Sequence, residues 1–170
     1  MKKHLSLFSL LLLSVFPSFS QQPSSVQSYP KIMGYASFIH PIVTFDKNGS
    51  TFNFSNSYTV GFPIGINILK SDKIGFSFEI TPFIKAQHDS SKVSSILFHP
   101  GVMFRFKHGF TIIGRLAFET AGRYGFTPVF NKVLIRAKNV NYFVAMGIPV
   151  RMGNEKPISV GVALQLGVSF

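Results

Sequence analysis

Apolar residues occupy every second position of Ile158–Phe170. Ile158, Val160, Val162, Leu164, Leu166, Val168 and Phe170 share one parity, and Ser159, Gly161, Ala163, Gln165, Gly167 and Ser169 share the other. Side chains alternate across a strand with a period of two, so this stretch predicts a strand with one greasy face and one narrow, wet face. Crossing a bilayer takes a tilted β-strand of roughly 9–11 residues, and this one is long enough.

The same period recurs upstream. Tyr58–Leu69 sets Tyr58, Val60, Phe62, Ile64, Ile66 and Ile68 against Thr59, Gly61, Pro63, Gly65 and Asn67. Ile74–Lys85 sets Ile74, Phe76, Phe78 and Ile80 against Gly75, Ser77, Glu79, Thr81 and Lys85. Ser95–Phe106 and Phe110–Ala121 alternate likewise, with His99 and Arg105, then Arg115 and Glu119, on the polar side. Tyr142–Met152 places Arg151 there. Two stretches alternate less cleanly. Lys31–Phe45 is assigned Met33, Tyr35, Ile39, Val43 and Phe45 outward, with His40 inward, and Val129–Ala137 is assigned Val129, Val133 and Ile135 outward.

Eight strands follow, and an even count returns both ends of the chain to one side. Short turns at Lys70–Lys73, Lys107–Gly109 and Lys138–Asn141 alternate with longer loops at Asp46–Ser57, Gln87–Ser94 and Gly122–Pro128. A soluble barrel or sandwich with the apolar face inward shares the alternation. Its outer surface needs charge, about 25–35% in designed examples, whereas the second and eighth strands carry none on either face. The expected fold is therefore all-β: an eight-stranded antiparallel up-and-down transmembrane β-barrel over residues 31–170. Pro41, Pro63, Pro82, Pro100 and Pro149 stand against it, because each removes a ladder donor and a closed barrel has no edge strand. Gly61-Phe-Pro-Ile64 resembles Gly147-Ile-Pro-Val150, which reads as convergence of hairpin composition, since eight strands orient the two oppositely.

Met1–Ser20 reads as a signal peptide: Lys2 and Lys3, an apolar run Leu5–Phe16, and Ser18 and Ser20 before a cut ahead of Gln21. Gln21–Pro30 is a Ser/Gln/Pro-rich lead-in on the periplasmic side. The 17 Lys and Arg fall to 15 without Lys2 and Lys3, and against six acids the net charge is then +9. In an exported chain that balance points to lipid headgroups or an anionic solute rather than nucleic acid. Twenty Phe suit a lipid-facing surface, although Trp, usual in interfacial girdles, is absent. There is no cysteine, which excludes disulfides, thiolate metal ligands and a lipid anchor on Cys.

The chain resembles the small eight-stranded bacterial outer-membrane barrels of the OmpA/OmpX type, and an uncharacterised group of such barrels from Bacteroidota, in its export signal, alternating strands and terminal Phe. The resemblance implies an outer-membrane location. It also implies that Leu164, Leu166, Val168 and Phe170 act as a C-terminal insertion signal read by the outer-membrane assembly machinery. It brings no catalytic or cofactor motif.

Chemistry is sparse. Glu79, Lys85, Arg105, Arg115, Glu119 and Arg151 face inward, and a buried charge must be paired because unpaired desolvation costs several kcal/mol. The expected arrangement is an ion-pair plug, with Glu79 and Glu119 neutralised among Arg105, Arg115 and Lys85. Gln165 faces the lumen, so Gln165→Glu reads as milder than Leu166→Arg. The alternatives are a narrow anion-preferring pore, then a lipid-active enzyme. His99 with Glu79 or Glu119 makes a triad only on paper, and no metal-ligand spacing, P-loop or dinucleotide fingerprint is present. The expected role is a structural or interaction barrel with short external loops, no cofactor and an unassigned ligand.

Overall fold

The computed structural model describes residues 28–88 and 90–170. The expected signal peptide and most of the lead-in lie outside them. The described chain is an all-β, antiparallel, up-and-down sheet of eleven strands: β1 Lys31–Asp46, β2 Gly49–Phe52, β3 Tyr58–Gly61, β4 Ile64–Leu69, β5 Ile74–Gln87, β6 Ser90–Arg105, β7 Phe110–Glu119, β8 Tyr124–Arg136, β9 Asn141–Gly147, β10 Val150–Met152 and β11 Ser159–Ser169. β1 pairs with β3 and β4, these with β5, and the ladder continues through β6, β7, β8 and β9 to β11. From Tyr35↔Ser169 to Phe45↔Val160, β11 pairs with β1, which brings the ladder back to its start.

Eleven strands replace the eight expected for two physical reasons. The first is proline: Pro63 divides one expected strand into β3 and β4, and Pro149 divides another into β9 and β10. At both breaks the neighbouring strands supply the missing bonds. Phe62 N–H donates to the Pro82 carbonyl at 3.1 Å, and the Pro63 carbonyl accepts from Ser37 N–H at 2.9 Å. Ile148 N–H donates to the Pro128 carbonyl at 3.0 Å, and the Pro149 carbonyl accepts from Gly161 N–H at 2.8 Å. The likeness of Gly61-Phe-Pro-Ile64 to Gly147-Ile-Pro-Val150 is thus a shared strand break rather than a shared hairpin composition. Pro41 sits beside a register shift in β1. The second reason is β2, which folds back on β1 across Lys47-Asn48, with Asp46 opposite Gly49.

The hairpins are tighter than the sequence suggests. Ladder pairs continue through the expected loop Gln87–Ser94 to Gln87↔Ser90. β8 starts at Tyr124, inside the expected loop Gly122–Pro128, where Gly125 and Pro128 imitate a turn.

Outward and inward faces follow the sequence parity in β3, β4, β5, β6, β7, β9, β10 and β11, and fail in β1 and β8. In β1, Tyr35 is buried and Ile32, Phe38 and Ile42 are exposed against expectation, whereas Phe45 is exposed as expected. The register shift between Pro41 and Val43 inserts one residue, so Tyr35 and Phe45 share sequence parity yet lie on opposite faces. In β8, Val129 is buried while Tyr124 and Phe126 are exposed. Ile135 is exposed as expected, because a second register shift separates it from Val133. His40, expected inward, lies beside Phe54 and Tyr58, and its Nδ1 is 3.3 Å from the Tyr58 hydroxyl.

The interior is layered along the strands. At the end where Lys31 and Ser169 lie, Tyr35, Leu69, Met103, Ile113, Val129, Phe143 and Ala145 form an apolar cluster. A polar layer follows. At the far end, between the hairpins, a cavity of about 470 Å³ opens among Thr44, Asn53, Lys85, Glu119, Arg123 and Lys156.

Candidate functional site: a polar layer across the lumen

Glu79 is the centre of the polar layer. Its position in β5 faces inward by parity, and Gly65 opposite it leaves the space that the Tyr35 ring occupies. A Cβ at Gly101 would meet Arg115 Cγ at 2.6 Å, so this glycine makes room for the arginine crossing the lumen. Glu79 and Arg115 are 2% and 4% exposed, and Arg115 Nη1 donates to Glu79 Oε2 at 2.8 Å.

Five donors surround the carboxylate. Besides Arg115, the Tyr35 hydroxyl reaches Oε2 at 3.0 Å and Gln165 Nε2 reaches it at 3.3 Å. Thr81 Oγ1 and His99 Nδ1 approach Oε1 at 3.3 and 3.1 Å. Arg115 Nη2 also donates to Tyr35 Oη and Ser77 Oγ, each at 2.9 Å. Donors from five strands (β1, β5, β6, β7 and β11) therefore converge on one side chain. That density is what a charge removed from water requires.

A second pair lies nearer the hairpin end. Arg151 Nε donates to Glu119 Oε1 at 2.7 Å, with side chains 10% and 15% exposed. Thr127 joins the pairs: Arg151 Nη1 donates to its Oγ1 at 3.0 Å, and His99 Nε2 lies 2.9 Å from the same atom. One hydrogen-bonded chain thus runs Tyr35–Glu79–His99–Thr127–Arg151–Glu119.

Of the six inward charges named from the sequence, four are brought together, in pairings the sequence does not dictate. Arg115 serves Glu79 and Arg151 serves Glu119. Lys85 lies half-buried at the hairpin-end cavity, and Arg105 lies at the opposite end with Nη1 3.5 Å from the Asp72 carbonyl. Neither is within ion-pair distance of a described carboxylate. Tyr35 and Thr127 escape the sequence reading, the first through the β1 register shift and the second inside a supposed loop. Their signal is the parity of Ser37 with Tyr35 and of Thr127 with Asn131.

The arrangement Glu79–His99–Thr127 has the order acid, imidazole, hydroxyl. A neutral His99 bearing its proton on Nδ1 satisfies Glu79 and leaves Nε2 to accept from Thr127, which is the geometry of an activated nucleophile. All three residues are buried in the lumen. No group of three or more His, Cys, Asp or Glu able to hold a metal occurs among the described residues.

Cavities flank the layer. One of about 60 Å³ touches Thr81, Leu97, His99 and Pro149 on the hairpin side, and one of about 110 Å³ lies on the side of the termini. Arg115 and Gln165 face both, so the layer is one side chain thick. Outside the strands, the Tyr29 hydroxyl donates to the Asp72 carboxylate, which raises the phenol's pKa.

No family model matches the chain, and no curated protein matches it. Two solved structures are similar to the chain. One is a de novo designed transmembrane β-barrel, with a TM-score of 0.49 at 10% identity, covering 84% of this chain and 97% of the design. A second de novo design, TMB2.3, solved by solution NMR, has a TM-score of 0.48 at 13% identity, covering 85% of this chain and 97% of the design.

Proposed function

We propose that the chain is a small bacterial outer-membrane β-barrel of eight staves, two of them proline-broken, whose lumen is sealed by the Glu79–Arg115 layer. Its role is structural or interactive rather than catalytic. One observation carries the reading: the sheet is apolar outside and charged inside. Ile64, Phe76, Phe78, Phe98, Phe118 and Leu164 stand exposed on the outer face, while Glu79, Arg115 and Arg151 are buried. Water penalises both halves of that arrangement, whereas hydrocarbon around the wall favours both.

Phe170 fits an outward-facing insertion signal with Leu164, Leu166 and Val168. It is 63% exposed, and its backbone is tied to Gly34 by two bonds of 2.9 Å. Glu79, His99 and Thr127 are buried around a cavity of only about 60 Å³, too small for a lipid substrate, which favours a non-enzymatic role. A second reading, the narrow anion-preferring pore, draws support from the thinness of the layer. Reconstitution in planar bilayers separates the two: the sealed barrel gives no steady conductance. Sustained anion-selective current would establish the pore instead.

A further inference from the structure

The cavity at the terminal end has a composition unlike that of the polar layer above it. Met33, Leu69, Met103, Ile113, Val133 and Phe143 give it an apolar wall. Three cations line it, Arg105, Arg115 and Arg136, and no carboxylate does. Arg115 is matched by Glu79. Arg105 and Arg136, at the ends of β6 and β8, have no carboxylate partner among the described residues. The Asp72 carboxylate accepts from Tyr29 instead. Two buried polar atoms of lining residues also lack partners: Arg115 Nε and Asn67 Oδ1. An apolar pocket with unmatched cations at its rim suits a molecule carrying both grease and negative charge.

We infer that this chamber is a binding site for a short alkyl carboxylate, its chain against Met103, Leu69 and Phe143 and its head between Arg105 and Arg136. Guanidinium groups recognise a planar two-oxygen head by charge-assisted bonds, which gives the carboxylate its preference over a neutral alcohol. The volume of about 110 Å³ limits the chain. By comparison with the ~150 Å³ engineered cavity that admits the six carbons of benzene, about four or five chain carbons fit, with the carboxylate at the rim. The opposite mouth also has apolar lining, from Ile42, Val43, Phe52 and Phe83, but there Glu119 supplies a carboxylate beside Lys85, Arg123 and Lys156.

Methionine methyl groups supply the test, because Met33 and Met103 line the chamber while Met146 is exposed on the outer face. The protein, ¹³C-labelled at methionine methyls and held in nanodiscs of neutral lipid, is titrated with hexanoate and separately with 1-hexanol. Binding appears as saturable shifts of Met33 and Met103 with hexanoate, while Met146 reports only non-saturating partition into lipid. In the Arg105→Gln/Arg136→Gln variant, folded by its dispersed methyl spectrum, the hexanoate affinity falls at least about tenfold. The inference is overturned if Met33 and Met103 merely follow Met146, if hexanol gives the same saturable shifts, or if the double variant binds hexanoate as tightly as the parent. The hexanol comparison decides the matter even where the variant does not assemble.

Discussion

Glu79 and Glu119 are the same residue type on the same face of the sheet, each joined to an arginine by one short bond, 2.8 and 2.7 Å. Their surroundings differ. Glu79 is 2% exposed and takes five donors, while Glu119 is 15% exposed and lines a cavity of about 470 Å³. The first pair is walled off from water and the second borders it. Coulomb attraction and desolvation both scale with that difference, so bond length alone says little about what either carboxylate contributes.

The largest effect is therefore expected at the centre. Glu79→Gln leaves Arg115 charged and uncompensated, at a cost of about 3–5 kcal/mol. Equilibrium denaturation in lipid or detergent reads this as a lower midpoint. Adding Arg115→Gln should return part of the loss, as coupled residues do. If the double variant is no more stable than Glu79→Gln, the pair is not the source of the cost.

Leu166→Arg comes next and probes the opposite side of the wall. In the proposed membrane barrel it puts a cation on the lipid face, at about 2–4 kcal/mol near mid-depth and less toward the interface. Ala163→Ser, buried in the lumen three residues earlier, serves as its mild control. Gln165→Glu ranks third, milder than Leu166→Arg as the sequence suggests, though not without cost. Gln165 Nε2 donates to Glu79 Oε2 at 3.3 Å and to Ser37 Oγ at 2.8 Å, so a carboxylate there removes two donors and adds like charge. A loss of roughly 1–3 kcal/mol in the same denaturation assay is the expected result.

Glu119→Gln should cost only about 1 kcal/mol, since water from the mouth can solvate Arg151. A loss as large as that of Glu79→Gln would erase the contrast between the two pairs. Smallest of all, Lys85→Gln should change stability by less than about 0.5 kcal/mol. Lys85 has no carboxylate to lose among the described residues.

How much of this is legible in the sequence depends on the strand. β5 and β11 read directly, because Glu79, Ser77 and Gln165 each stand between two bulky apolar neighbours. β1 and β8 do not, since the terminal half of the lumen is itself apolar. Tyr35 and Val129 help fill it with side chains that look lipid-facing, and the register shifts near Pro41 and Val133 invert parity partway along. The charged residues of the layer are visible as inward charges. Their pairing is not, because it depends on how the sheet closes. Arg151, on the short β10 beyond the Pro149 break, reaches Glu119 on β7 across β8. Periodicity gives facing, and only the ring of registers gives partners.

The most direct test of the inside-out wall is a single-cysteine nitroxide scan of β11, made simple by a chain that contains no cysteine. Each residue from Val160 to Val168 is replaced in turn by Cys, labelled in proteoliposomes, and its relaxation by oxygen and by a water-soluble nickel complex is measured. The expected result is a period of two. Oxygen accessibility should peak at Val160, Val162, Leu164, Leu166 and Val168, with the nickel complex excluded there. Peaks of nickel accessibility at those same positions would put water against the apolar face and contradict the membrane barrel.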